Sequence, residues 1–213
     1  EAEVPVVTLK NFRDRWVGST EENLEKIFSL LHALGRCIVF IDEADQALGR
    51  RASGSGDSGV SSRVYSMMAK EMSDTRNRGK ILWVLASSRP DLIEVDLKRP
   101  GRVDVKIPLF PCSDAKEAWV LLRALCNKRG VTLPAESNLI GKMPELLTPG
   151  AAEAIAVKAK RLMITSEMTA EAALTNCLDG YLPPISPAVI QAQIQLAIDE
   201  ASDASFIPDQ FRK

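Results

Sequence analysis

Two carboxylates, Asp42 and Glu43, stand side by side directly after the apolar run Cys37-Ile38-Val39-Phe40-Ile41. Adjacent acids in such a place suit nucleotide hydrolysis. One holds Mg²⁺ directly or through water, and its neighbour orients and polarises an attacking water. Further along, Arg99-Pro100-Gly101-Arg102 puts two permanent cations into one turn, each with a donor fork suited to phosphate oxygens. The same turn offers them carboxylates nearby, at Asp91, Asp96 and Asp104. The cysteines Cys37, Cys112, Cys126 and Cys177 are widely spaced without a Cys-x-x-Cys pair. They read as reduced thiols, with neither a zinc site nor a disulfide framework favoured. The single histidine, His32, falls on an expected helix and takes a structural or surface role.

The elements that must position these groups follow from hydrophobic pattern. Cys37 to Ile41 has the β-branched, apolar composition of a strand buried on both faces of a parallel sheet. An open α/β sheet binds its ligand outside the carboxyl ends of its strands, which places Asp42 and Glu43 at the rim of a site. Val4 to Leu9 and Ile81 to Ala86 read as further strands, and Val103, Val105 and Ile107 alternate as a final one. Between them, Ser19 with Glu22 offers a capping box for a helix striped by Leu24, Ile27, Phe28, Leu31 and Leu34, with Gly35 as its stop. Gly49 to Ser62 has loop composition, and a helix with Val64, Met67, Met68 and Met72 on one side runs from about Ser62 to Met72. Beyond Pro111 everything reads as helical, including a helix that Ser186-Pro187 starts. The expected architecture is an α/β domain over residues 1–111 and a small all-helical lid over 112–213.

Composition bounds the partners. With 213 residues, 46% hydrophobic and 26% charged, the chain is an ordinary globular one. A formal net charge of −1 gives no field that draws nucleic acid or an anionic membrane. No apolar run approaches a transmembrane helix and no signal peptide opens the chain, so a cytoplasmic protein without membrane insertion is expected. Glu1 in place of Met reads as a trimmed or processed start.

Together these residues resemble the AAA ATPases of the AAA+ group, from Val4 to at least Leu178. Ile38 to Glu43 resembles that family's Walker B, and Leu97-Lys98-Arg99-Pro100-Gly101-Arg102-Val103-Asp104 its second region of homology. The resemblance implies a P-loop NTPase-type parallel sheet followed by a helical lid. It implies ATP and Mg²⁺ as ligands, with Asp42 at the metal through water and Glu43 as catalytic base. Arg99 and Arg102 become arginine fingers reaching the phosphate of a neighbouring subunit. Ser88 takes the position of the family's polar sensor Asn, and Thr148-Pro149-Gly150-Ala151-Ala152-Glu153 approximates the lid's Gly-Ala-Asp motif, with Gly150 and Ala151 at the nucleotide. Trp16-Val17-Gly18 is similar to a pore loop in which Trp16 and Val17 grip polypeptide. Gly49 to Ser62 stands for a second pore-facing loop, and Arg63 for an intersubunit arginine. The implied parent is a homo-oligomeric ring, a hexamer, that remodels or unfolds proteins.

One part of the family pattern is missing. No Gly-x-x-x-x-Gly-Lys-Ser/Thr occurs, so the phosphate cradle and the strand that bears it are absent from these residues. The chain alone is expected not to hydrolyse ATP. That strand is expected beside Cys37 to Ile41, whose amides would then lack partners unless the two flanking strands close together, another chain supplies a strand or, the favoured outcome, an upstream segment does. The rival reading is a non-catalytic AAA-like subunit that lends arginine fingers or scaffolding to a ring. A nucleic-acid motor is disfavoured by the neutral charge.

Overall fold

A computed structural model describes residues 3–9, 19–49 and 58–212, with 19–20 and 58–62 described through their backbone alone. The chain divides into two compact units: residues 1–107 with 196–206, and residues 108–195 with 207–213.

The first unit is a three-stranded parallel sheet, β1 (Val6–Leu9), β2 (Cys37–Ile41) and β3 (Ile81–Leu85), in that spatial order. α1 (Ser19–Leu34) returns the chain from β1 to β2, and α2 (Ala44–Leu48) and α3 (Ser58–Ser73) return it from β2 to β3. Strand alternation sends Leu9, Cys37, Val39 and Ile41 to one face. There they form a core with Leu24, Phe28 and Leu31 of α1 and Val64, Met68 and Met72 of α3. On the same helices His32 has a structural role: its Nε2 lies 2.6 Å from Glu71 Oε1, and Asn77 Nδ2 donates to that oxygen at 2.8 Å. This polar cluster ties α1 to α3 and satisfies the buried Glu71 and Asn77.

Several sequence expectations change here. β2 is not left without a neighbour: Val6↔Ile38 through Leu9↔Ile41 pair it on one side, and Cys37↔Ile81 through Ile41↔Leu85 on the other. Among the described strands β2 is central, and β1 and β3 are the two edges. Nor is the sheet buried on both faces, for Val6 is 62% and Leu82 59% exposed on the face opposite the core. The helices α1 and α3 share a single core, so only one face receives their apolar stripes. The alternating run Val103 to Ile107 is not a strand. Its Lys106 exchanges hydrogen bonds with Ser202, not with a ladder, and Val105 and Ile107 are exposed. α3 begins at Ser58, four residues before the expected start, Ser19 lies inside α1, and the five-residue α2 carries no periodicity long enough to be read in advance.

Gly49 ends α2 where no side chain fits. A Cβ there would lie 1.8 Å from the Asp45 carbonyl oxygen, while the Gly49 carbonyl accepts the Tyr65 hydroxyl. Gly49→Ala is expected to lower stability by roughly 1–3 kcal/mol through forced displacement of α2. An unchanged urea midpoint would show that the contact relaxes freely.

The second unit is helical: α4 (Ala115–Lys128), α5 (Pro149–Thr165), α6 (Ala170–Asp179) and the first part of α7 (Pro187–Glu200). Asp114, Thr148 and Thr169 cap α4, α5 and α6 by accepting backbone N–H groups. Trp119 is fully buried at the centre, and its Nε1–H donates to the Pro134 and Ala135 carbonyls. Trp119→Ala should cost about 3–5 kcal/mol. Guanidinium unfolding of the variant measures this, and a loss under ~1 kcal/mol would mean the core is organised elsewhere. Cys112, Cys126 and Cys177 lie in this core as free thiols, and Cys37 in the first. Burial raises all four thiols, Cys126 to about 11 with a further push from Cys177. They are inert packing groups rather than thiolate nucleophiles or metal ligands.

Candidate functional site

The acid pair sits where strand pairing is interrupted. Ala86, just past β3, donates its N–H to the Ile41 carbonyl at 2.9 Å and accepts the Ala44 N–H at 2.9 Å. One residue of the neighbouring strand therefore spans two, and Asp42 and Glu43 are looped out between them like a bulge. Both acids are exposed at the carboxyl end of β2. Glu43 has φ 48° and ψ 47°, a left-handed conformation that costs a non-glycine residue roughly 1–2 kcal/mol. The ladder on either side imposes that strain, and its effect is a sharp reversal from strand into α2. The Glu43 carbonyl accepts from Gln46 and Ala47 to start the helix, and its N–H donates to Asp42 Oδ1 at 3.0 Å. Glu43 is the N-cap of α2, but its carboxylate makes no capping bond.

A link through Ser87 was not legible in the sequence. The Ser87 hydroxyl donates to Asp45 Oδ1 and accepts the Arg89 N–H at 3.0 Å. It thus links Asp45, two residues beyond the acid pair, to the loop beyond β3. Ser88, the residue singled out by resemblance, is exposed beside it. The spacing of Asp45 three residues beyond Asp42 was visible, but its partner 42 positions away was not. Arg89 grips Asp91 with two bonds, of 2.9 and 2.8 Å, which raises the Arg89 pKa and lowers that of Asp91.

Arg99 and Arg102 occupy a tight turn closed by Arg102 N–H to the Arg99 carbonyl at 3.2 Å. Pro100 and Gly101, the latter at φ 86°, fill the two central positions as a type II turn requires. Asp104 Oδ1 accepts the Gly101 N–H at 2.6 Å. Arg99 Nε meets Asp96 Oδ1 at 3.1 Å with 69% of its side chain exposed, and Arg102 donates to the Asp96 carbonyl. Such an exposed pair is worth at most about 1 kcal/mol, so these contacts park the arginines without committing them. Arg63 pairs with Glu21 of α1 at 3.2 Å.

In the second unit, Gly150 and Ala151 lie in the first turn of α5. The Ala151 N–H is taken by Thr148 Oγ1 at 3.3 Å, whereas a Cβ at Gly150 would meet nothing within 4 Å. Glu153, standing for the acid of the lid motif, pairs with Arg129. Trp16, Val17 and Gly18, and residues 50–57 of the second loop, lie outside the described residues.

Among the described residues no group of three His, Cys, Asp or Glu is arranged to hold a metal, and no helix is long and apolar enough to cross a membrane. Mg²⁺ does not need such a group, because one or two carboxylates suffice when waters and phosphates complete its octahedron. A lone exposed Asp42 fits that requirement.

A family model for the "ATPase family associated with various cellular activities (AAA)" matches residues 1–110. A peroxisomal ATPase, PEX6, of Dictyostelium discoideum is 31% identical over 113 residues, which is 53% of this chain and 9% of that relative.

Proposed function

The chain belongs to the AAA family of ATPases, and from that premise we propose that it is part of a ring ATPase that uses ATP to remodel or unfold proteins. The observation that carries the proposal is the bulge at the end of β2. It holds two exposed acids at the rim of a parallel sheet and leaves the Glu43 carboxylate out of the helix cap.

In this reading Asp42 would hold Mg²⁺ through water, and the ion, when bound, would supply charge that neutralises phosphate. Glu43 takes the next role outward, polarising the water that attacks the terminal phosphate. Ser88 hydrogen-bonds phosphate or water from the loop after β3, and the Ser87 link to Asp45 keeps that loop near α2. Arg99 and Arg102 turn away from Asp96 to a neighbouring subunit's nucleotide. Gly150, with open space at its Cβ position, admits a ligand to the amino end of α5 beside Ala151. Trp16 and Val17 line the channel of a hexamer and grip polypeptide through apolar area. The ring works in the cytoplasm, with a peroxisomal ATPase among its relatives.

The test is phosphate release by the full-length protein together with loss of fluorescence from a tagged, folded substrate. Hydrolysis without unfolding would remove the remodelling role. No hydrolysis at all would remove the enzyme.

A further inference from the structure

Lys98 and Lys106 flank the arginine turn, and both ammonium groups end on one carboxylate, Glu200 at the end of α7. Lys98 Nζ bonds Glu200 Oε1 and also donates to the Pro90 carbonyl at 3.1 Å. Lys106 Nζ reaches Glu200 Oε2 at 3.4 Å. The Lys106 backbone is tied to the same segment, its N–H donating to Ser202 Oγ at 3.0 Å and its carbonyl accepting the Ser202 N–H at 3.2 Å. All of these groups belong to the first unit.

The exposure of these groups separates them from the rim. Lys98, Glu200 and Lys106 have 16%, 21% and 32% of their side chains exposed, against 69% for Arg99. Partly buried pairs are screened less than exposed ones and hold their geometry better. Asp91, a further carboxylate that feels Lys98, is already held by the Arg89 fork. Without the Glu200 charge, two ammonium groups would lose the carboxylate they share, and both flanks of the turn would loosen.

We propose that Glu200 is a positioning residue for the arginine turn. The segment 196–206 anchors Lys98 before the turn and Lys106 after it, and so sets the direction in which Arg99 and Arg102 leave the surface. The inference rests on the reading of those arginines as donors to a neighbouring subunit.

The experiment uses the full-length assembled protein. Glu200→Gln should lower kcat roughly 10- to 100-fold, with KM changed less than about twofold, as expected when a remote change misplaces a catalytic group. Mixed rings then identify the half-site affected. Glu200→Gln subunits should regain activity when mixed with Glu43→Gln subunits, whose arginines are intact, and none when mixed with Arg99→Ala subunits. Lys98→Met should repeat the pattern. An unchanged kcat, an effect carried by KM, the reverse mixing pattern, or failure of both variants to assemble would overturn the proposal. If Arg99→Ala itself turns over normally, the donor reading falls and the brace with it. A normal Glu200→Gln beside a crippled Arg99→Ala overturns the brace alone.

Discussion

Glu43→Gln in the full-length protein will keep ATP binding and lose turnover by two or more orders of magnitude, about 3 kcal/mol or more of transition-state stabilisation. The substitution removes a charge and little else. The Glu43 backbone bonds that start α2 and join Asp42 are unaffected by the side chain, and no capping bond is lost. Folding stability should therefore stay within about 0.5 kcal/mol of the parent. A ring that binds ATP but does not release phosphate should also retain its polypeptide substrate. Two measurements separate the outcomes: equilibrium binding of a fluorescent ATP analogue, and steady-state phosphate release. Near-normal release would remove Glu43 from the mechanism. Loss of binding together with release would reassign it to holding the nucleotide.

Arg99→Ala should lower turnover by about 10³-fold or more, since an arginine supplied in trans to a transferring phosphoryl group is worth roughly 10³ to 10⁵ in rate. That corresponds to about 4–7 kcal/mol. The competing contact is far weaker, because the exposed Arg99–Asp96 pair holds at most about 1 kcal/mol. Asp96→Ala, which deletes that contact while leaving the arginine, should change turnover less than about fivefold. If Arg99 acted only within its own surface turn, the two variants would look alike. Mixing decides between donation to a neighbour and action in cis. Arg99→Ala subunits retain Glu43, Glu43→Gln subunits retain Arg99, and some interfaces in a mixed ring join the two intact halves. Partial recovery is expected; verified mixed rings with none would mean that each subunit uses its own arginine.

Local chemistry was legible in the sequence where a few adjacent residues decide the outcome. Pro100-Gly101 dictates its turn because Pro supplies φ near −65° and Gly accepts a positive φ. The strand Cys37–Ile41 followed by two acids, and the helices α1, α4, α5, α6 and α7, declare themselves through composition, period and capping residues. These were enough to identify the fold class and to put Asp42 and Glu43 at a strand end. What only the tertiary structure decided is who stands opposite whom. Val103 to Ile107 has strand alternation, but a strand exists only beside another, and Ser202 stands beside Lys106 instead. β2 turned out central with β1 and β3 at the two described edges, an ordering that no strand's own residues encode. The left-handed Glu43 follows from Ala86 bonding on both sides of the acid pair, not from any preference of Glu. Ser87, not its neighbour Ser88, meets Asp45 because the twist and register of β3 aim it there. Glu200 meets Lys98 across 102 positions. Charge is visible at each residue, but its partner is set by how the chain closes, and a contact of that separation exists only once the whole unit has folded.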